Sequence, residues 1–234
     1  MILYVNGDSH TAAAEAVNNH SFAEDDSRYW HLERRPHPDN LSVSWGKLLS
    51  ERLKASFECD AESASSNDRI IRTTKEWIET REKDLHRTLM IIQWSTWERE
   101  EWIIDNDYYQ VNASGIDIVP ESHQQQYKEY VANVNWQQKT EKAHLKIWNF
   151  HLYLKTLDVD HVFFNGNNSF ESISDRQNWG INYIDPYNPE STYHNILQSR
   201  GLETVTPMSY HYGADAHRSW ANYLTHYLLD NKLV

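Results

Sequence analysis

The sequence predicts an α/β fold, a parallel sheet covered by helices on both faces, and two observations carry it. Short apolar runs alternate with longer stretches of helical period, the pattern of βαβ units whose crossovers put helices on both sides of a sheet. The first apolar run also stops abruptly at Gly7-Asp8-Ser9-His10, and in such sheets sites form where loops leave the carboxyl ends of strands.

In chain order, Ile2 to Val5 reads as the first strand, and the Ala-rich stretch beginning near Thr11 reads as a helix. "SWGKLLSERLKA" has helical period and leads into a strand over Ser56 to Ala61. A helix over "NDRIIRTTKEWIETREKD" precedes the strand Thr88 to Gln93 ("TLMIIQ"). In "EKAHLKIWNFHLYLKTLD", Ile147, Phe150, Leu154 and Leu157 fall on one stripe, ahead of the strand His161 to Asn165. A fifth strand is expected at Glu203 to Val205. The C-terminal "DAHRSWANYLTHYLL" repeats the helical stripe with Trp220, Leu224, Tyr227 and Leu228. Two polar insertions, near 98–138 and 165–200, interrupt the alternation and are expected to be lids or mobile loops.

At 234 residues, the chain most simply makes one domain spanning 1–234. Its 34 acidic against 22 basic residues, net −12, exclude nucleic acid as a partner, because phosphate contacts dominate that affinity. Cys59 is the single cysteine. It rules out an internal disulfide or a Cys-based zinc site, fits a reducing compartment and is expected in the core. No basic-then-apolar leader opens the sequence, and nowhere do about 18 uncharged apolar residues run together. A cytoplasmic, non-membrane protein is therefore expected. Ten Trp, fourteen Tyr and thirteen His are a high aromatic load; in polar loops such rings line sugar-binding clefts or patch the edges of a core.

Gly7-Asp8-Ser9-His10 has two readings. Gly7 permits a tight turn and Asp8 or Ser9 caps the following helix. Alternatively, Ser9 presents its hydroxyl at the sheet edge beside free backbone N–H groups that can hold an oxyanion.

A strand ending in Gly-Asp-Ser, with "SWGKLLSERL" ahead of strand two, resembles the first block of the SGNH, or GDSL-type, hydrolases, in which this serine is the nucleophile. In "DAESASSNDRIIRTT", Ala64 falls where that family's second block has an oxyanion-hole glycine, followed by Ser65, Ser66 and Asn67; "SSND" also reads as a helix N-cap. The third block, Gly-x-Asn-Asp, is missing. The chain reads Trp94-Ser95-Thr96-Trp97-Glu98-Arg99 there, with Thr96 near the position of the oxyanion asparagine. A threonine hydroxyl donates one hydrogen bond without the amide's reach.

The family's last block, Asp-x-x-His before a helix, aligns with "MSYHYGADAHRSWANYL" in two registers. In one, His211 is the base, His217 lies on the helix, and Met208 stands where the acid belongs. In the other, Asp215 and His217 form the pair, but His217 then sits within a helix. The first matches more positions, and the acid is then absent or comes from elsewhere. His211, Asp215 and His217 show no metal-binding motif, and no metal is expected.

The resemblance implies a three-layer α/β/α sandwich around a five-stranded parallel sheet in flavodoxin-like order. It further implies a serine esterase with Ser9 as nucleophile and His211 as base, and oxyanion donors among the N–H groups of Ser9 and Ala64 and the side chains of Asn67 and Thr96. Asp8, which braces the turn, and His10 are both expected at the pocket, and Trp94, Trp97, Glu98 and Arg99 shape specificity. No cofactor is required. The substrate is a small-molecule or carbohydrate ester, with an O-acyl sugar favoured by the aromatic-rich insertions. The missing asparagine and acid also fit a different class: a non-catalytic binding domain, or a virion-associated one of the kind phages carry, that keeps the hydrolase scaffold.

Overall fold

The structure is a computed structural model that describes residues 1–23, 34–113, 115 and 119–234. Its centre is a four-stranded, all-parallel sheet of β1 (Ile2–Asn6), β2 (Ser56–Cys59), β3 (Thr88–Trp94) and β6 (Asp160–Asn165), in the order β2-β1-β3-β6. The central strands β1 and β3 are buried at every residue, which is why they read as continuous apolar runs rather than alternating ones. β2 is an edge and only partly covered.

Helices cover both faces. Leu3, Val5, Leu89, Ile91, Val162 and Phe164 point to one side. There α2 (Trp45–Leu53), α6 (Tyr193–Ser199) and α7 (Ala214–Asp230) bury Trp45, Leu49, Leu197, Trp220 and Leu224 against them. Tyr4, Met90, Ile92, Trp94 and Phe163 point to the other, against Ile70 and Trp77 of α3 (Asn67–Thr80) and Ile147, Phe150 and Leu154 of α5 (Trp136–Thr156). The predicted stripe of α5 is thus its buried face, although the helix begins at Trp136, ahead of the expected Glu141, because Asn135 caps it through Gln138 N–H. Cys59 is half-buried at the rim of the first cluster.

Three expectations need correction. No regular helix follows β1: from Asp8 to Ala16 the chain makes successive turns, with Ala13 and Glu15 in the left-handed region at φ 55° and 63°. Glu203 to Val205 is no strand and makes only an isolated antiparallel bridge, Thr204 to Tyr212. The outer edge of β6 is instead covered from the second insertion, where Tyr183 bridges Phe163 in parallel sense and the Ile184 N–H donates to the Phe163 carbonyl. Among the described residues the sheet thus has four strands, not the expected five.

The first insertion, whose residues 114 and 116–118 lie outside the described ones, is not a plain loop either. It folds as an antiparallel hairpin, β4 (Glu100–Ile104) with β5 (Asp107–Val111), followed by α4 (Gln124–Ala132). A small core of Ile104, Val111, Val119 and Tyr127 holds these pieces together. The hairpin docks on α3 through polar contacts: Arg72 grips Glu101 with two bonds of 2.9 Å, and Gln110 Oε1 accepts the Ser66 N–H. Among the described residues no helix is long and apolar enough to cross a membrane.

Candidate active site

Polar chemistry gathers at the carboxyl ends of the strands. β1 ends in Asn6, β3 carries Gln93 and β6 ends in Asn165, all buried. Gln93 organises the crossing: its Oε1 accepts Thr11 Oγ1, and its Nε2 donates to Asp8 Oδ1 at 2.8 Å. Gly7 is needed here because a Cβ would lie 2.3 Å from Thr11 Oγ1 and 3.0 Å from Gln93 Cβ. The turn can close onto β3 only without a side chain at that position.

Asp8 lies beneath the turn, 2 % exposed, and does not line the cleft described below. Its Oδ1 also accepts the His10 N–H, and its Oδ2 accepts Ser95 Oγ and, at 3.1 Å, the Arg99 guanidinium. Burial alone would raise the Asp8 carboxyl, but nearby His10 and Arg99 and the donated hydrogen bonds hold it below its ordinary range. Asp8 is thus a fixed anion that braces the turn and anchors Arg99.

Above it opens a cleft of about 790 Å³. The exit of β1 supplies Ser9, His10 and Glu15; the exit of β3 supplies Thr96, Glu98 and Arg99; the loop before α7 supplies Ser209, Tyr210 and His211. Among the described residues, several polar atoms here are buried without a protein partner, namely His10 Nδ1, Thr96 Oγ1, Glu98 Oε2 and Arg99 Nε. Unpaired buried polar atoms are costly, and their concentration in one cleft is what a site for a polar ligand looks like.

Among the described residues the Ser9 hydroxyl makes no hydrogen bond, and no acceptor takes its N–H. His211 joins Ser9 as a wall of the same cleft. The His10 ring stands edge-on to His211, with centroids 5.9 Å apart, and 5.2 Å from Tyr193; burial pushes His10 down to about 4, so at neutral pH it is uncharged.

The other expected residues lie elsewhere. Trp94 is fully buried in the α3–α5 core against Phe163 and Phe150, and Trp97 stacks on Phe170 at 4.7 Å. The alternation of β3 turns Trp94 to the same face as Met90 and Ile92, away from the cleft. Asn67 does not line the cleft; its amide closes a two-way bridge with the Ser95 backbone, at 2.8 and 3.2 Å. Ser66 caps α3 through Arg69 N–H. Ala64, also outside the cleft lining, has φ 68°, the left-handed conformation a glycine adopts freely and an alanine adopts at roughly 1 kcal/mol.

His217 is buried on α7, where its Nδ1 accepts the Trp45 N–H at the start of α2. It is pushed down to about 3, chiefly by burial. Asp215 points to solvent and pairs with Arg218 at 2.6 Å. The two do not form a pair, because residues two apart on a helix point to different faces. Among the described residues no three His, Cys, Asp or Glu side chains are grouped to hold a metal ion.

One residue was missed by sequence reasoning. Glu15 Oε2 lies 3.0 Å from His211 Nδ1 without an aligned hydrogen bond between them, and it accepts Ser209 Oγ at 2.7 Å. The available signal was a lone carboxylate in "TAAAEAV", which a helix would have aimed elsewhere.

A family model described as a family of unknown function (DUF6071) matches residues 34–181, well over half of the chain. The chain belongs to that family. The DUF6071 span begins after the β1 turn and ends before the last loop, so Ser9, Glu15 and His211 fall outside it. No curated protein sequence matches. Among solved structures, an acetyl xylan esterase (Est2A) from the rumen bacterium Butyrivibrio proteoclasticus is similar at TM-score 0.49 and 14% identity, over 99% of this chain and 64% of that one. The chain thus spans just under two thirds of that protein's length.

Proposed function

We propose that this chain is a serine ester hydrolase of the SGNH type, with Ser9 as nucleophile and His211 as general base. The observation that carries the proposal is one cleft at the carboxyl end of a parallel sheet that Ser9, Thr96 and His211 share with buried, unpartnered polar atoms. The resemblance of the β1 exit to that family's first block supports it.

In this scheme His211 takes the Ser9 proton as Oγ bonds to the ester carbonyl carbon and the carbonyl π electrons move onto oxygen. The free Ser9 N–H and the Thr96 hydroxyl hold that oxyanion. Collapse breaks the ester C–O bond, and the leaving alcohol takes the proton from His211. Water, deprotonated by His211, then attacks the acyl group, and Ser9 leaves with that proton. Asn67, tied to Ser95, and Ala64, away from the cleft, take no part. A hydroxyl-rich leaving group, as in an O-acylated carbohydrate, suits the unpaired acceptor Glu98 Oε2.

One observation favours a second reading, a binding domain on the same scaffold: the Ser9 hydroxyl touches neither histidine by a hydrogen bond. Catalytic contacts in free enzymes are often loose and tighten with substrate. A fluorophosphonate probe separates the two. Labelling should occur at Ser9, vanish in Ser9→Ala and slow by about 10²-fold or more in His211→Ala. An unlabelled wild type, or labelling that survives in Ser9→Ala, would overturn the hydrolase.

A further inference from the structure

The hydrolase scheme leaves His211 without the carboxylate that usually orients such a ring, since Met208 stands at the expected acid position and is 93% exposed. Three contacts close a ring around a different one. Ser209 Oγ donates to Glu15 Oε2 at 2.7 Å and accepts the His211 N–H at 3.0 Å, while Glu15 Oε2 lies 3.0 Å from His211 Nδ1. The backbone is bent to make this happen: Glu15 holds φ 63° and Ala13 φ 55°, conformations that persist only where the surroundings impose them. The buried alanines Ala12, Ala13 and Ala14 pin the turn, and the bridge from Thr204 to Tyr212 with the Val205 N–H to His211 carbonyl bond closes the opposing loop.

We propose that Glu15 is the positioning residue for His211, with Ser209 as the clasp that holds both, so that nucleophile and orienting carboxylate sit on one turn while the base arrives from the far end of the chain. This rests on the Ser9–His211 hydrolase reading. A carboxylate at Nδ1 keeps the proton on that nitrogen, leaves Nε2 free to take the Ser9 proton and stabilises the imidazolium that results. The other titratable groups facing His211 are His10 from the same turn, Glu98 and Arg99 across the cleft, and His217 from α7; none is placed against Nδ1 as Glu15 is. Glu15 is itself held below the ordinary carboxylate range: burial opposes this, and the Ser209 hydrogen bond together with the adjacent His211 ring outweighs it.

Glu15→Gln removes the charge but keeps an acceptor for Ser209, so it separates orientation by charge from simple bracing of the loop. Two readouts are taken on the full chain: the pH dependence of Ser9 labelling by a fluorophosphonate, and the tautomer of the His211 ring by ¹⁵N NMR. The expectation is labelling slowed about 10- to 100-fold, an acid limb displaced to lower pH, and loss of the Nδ1–H tautomer, with Glu15→Asp partly restoring all three. Ser209→Ala should slow labelling less and leave the acid limb in place. If Glu15→Gln folds with an unmoved profile and an unchanged tautomer while Ser9→Ala stays unlabelled and His211→Ala stays about 10²-fold slow, the Glu15 role is wrong and the hydrolase stands. If Ser9→Ala still labels, or His211→Ala labels at the wild-type rate, the hydrolase itself has failed.

Discussion

Two pairs of histidines occupy opposite ends of the sheet. At the amino end of β6, His151 Nδ1 and His161 Nε2 are 2.8 Å apart, and His161 Nδ1 reaches the Val159 carbonyl at 2.7 Å. His161 must carry its proton on Nδ1 to serve that carbonyl, so His151 donates to its Nε2 and the chain of donors is complete. At the carboxyl end, His10 and His211 meet edge to face with their Nδ1 atoms outside any aligned hydrogen bond. Burial depresses His10, His151 and His161 alike to about 4. What separates the pairs is satisfaction: one has spent its polar groups on the fold, whereas beside the cleft His10 Nδ1 is left without a partner among the described residues and His211 Nδ1 meets the Glu15 carboxylate without an aligned hydrogen bond.

The sharpest way to break that contrast is to exchange damage between the two ends. His211→Gln should cost about 10²-fold or more in Ser9 labelling while leaving the melting temperature nearly unchanged. His161→Leu should do the reverse: labelling per folded molecule holds, while the orphaned His151 and Val159 groups cost about 1–3 kcal/mol in a denaturant titration. The double variant with His151→Leu should lose less than the sum of the singles, because neither partner is then stranded. Additive losses would mean the pair is not a unit.

Asp8 tests the contrast from beneath the cleft end, where both its carboxylate oxygens are paired. Asp8→Asn leaves Arg99 without its anion in a largely buried position and should destabilise by about 3 kcal/mol. A loss below about 1 kcal/mol would show that solvent already supports Arg99.

Acid sharpens the other end. In the unfolded chain a histidine titrates near its ordinary 6.5, whereas His151 and His161 are pushed down to about 4 in the fold. Between those values the unfolded state binds protons that the folded state refuses, so stability present above pH 6.5 is lost as pH falls toward 4. The melting temperature should decline over that window, and the decline should be shallower in the His151→Leu/His161→Leu variant.

Much of the fold was legible because its signals are local. β1 and β3 are apolar runs that can only be buried strands, and α5 and α7 carry their core stripes in plain sequence. The hairpin β4–β5 was hidden because Glu100, Glu101, Asp107 and Gln110 make it polar; Glu100, Glu101 and Gln110 serve ion pairs and hydrogen bonds to α5 and α3 that no periodicity records. Ser9 was legible from its strand exit. Glu15 was not: its aim depends on left-handed backbone, and its partners Ser209 and His211 arrive from the far end of the chain. Trp94 was misplaced for the opposite reason, since a residue at a strand's end can face either the cleft or a core, and alternation with Ile92 and Met90 chose the core.

The smallest expected effect decides between the two histidine registers. Asp215→Asn removes a carboxylate that is 82% exposed and bound only to Arg218; an exposed pair of this kind contributes well under about 1 kcal/mol. It should leave both the melting temperature and Ser9 labelling where they were. If Asp215 instead oriented His217 as the base, the same change would slow labelling by orders of magnitude. The His217 ring, however, already spends its Nδ1 on the first N–H of α2, so it could act only by uncapping that helix. A measurable loss in Asp215→Asn would therefore mean that α7 can turn in place, moving the whole α2–α7 face of the core with it.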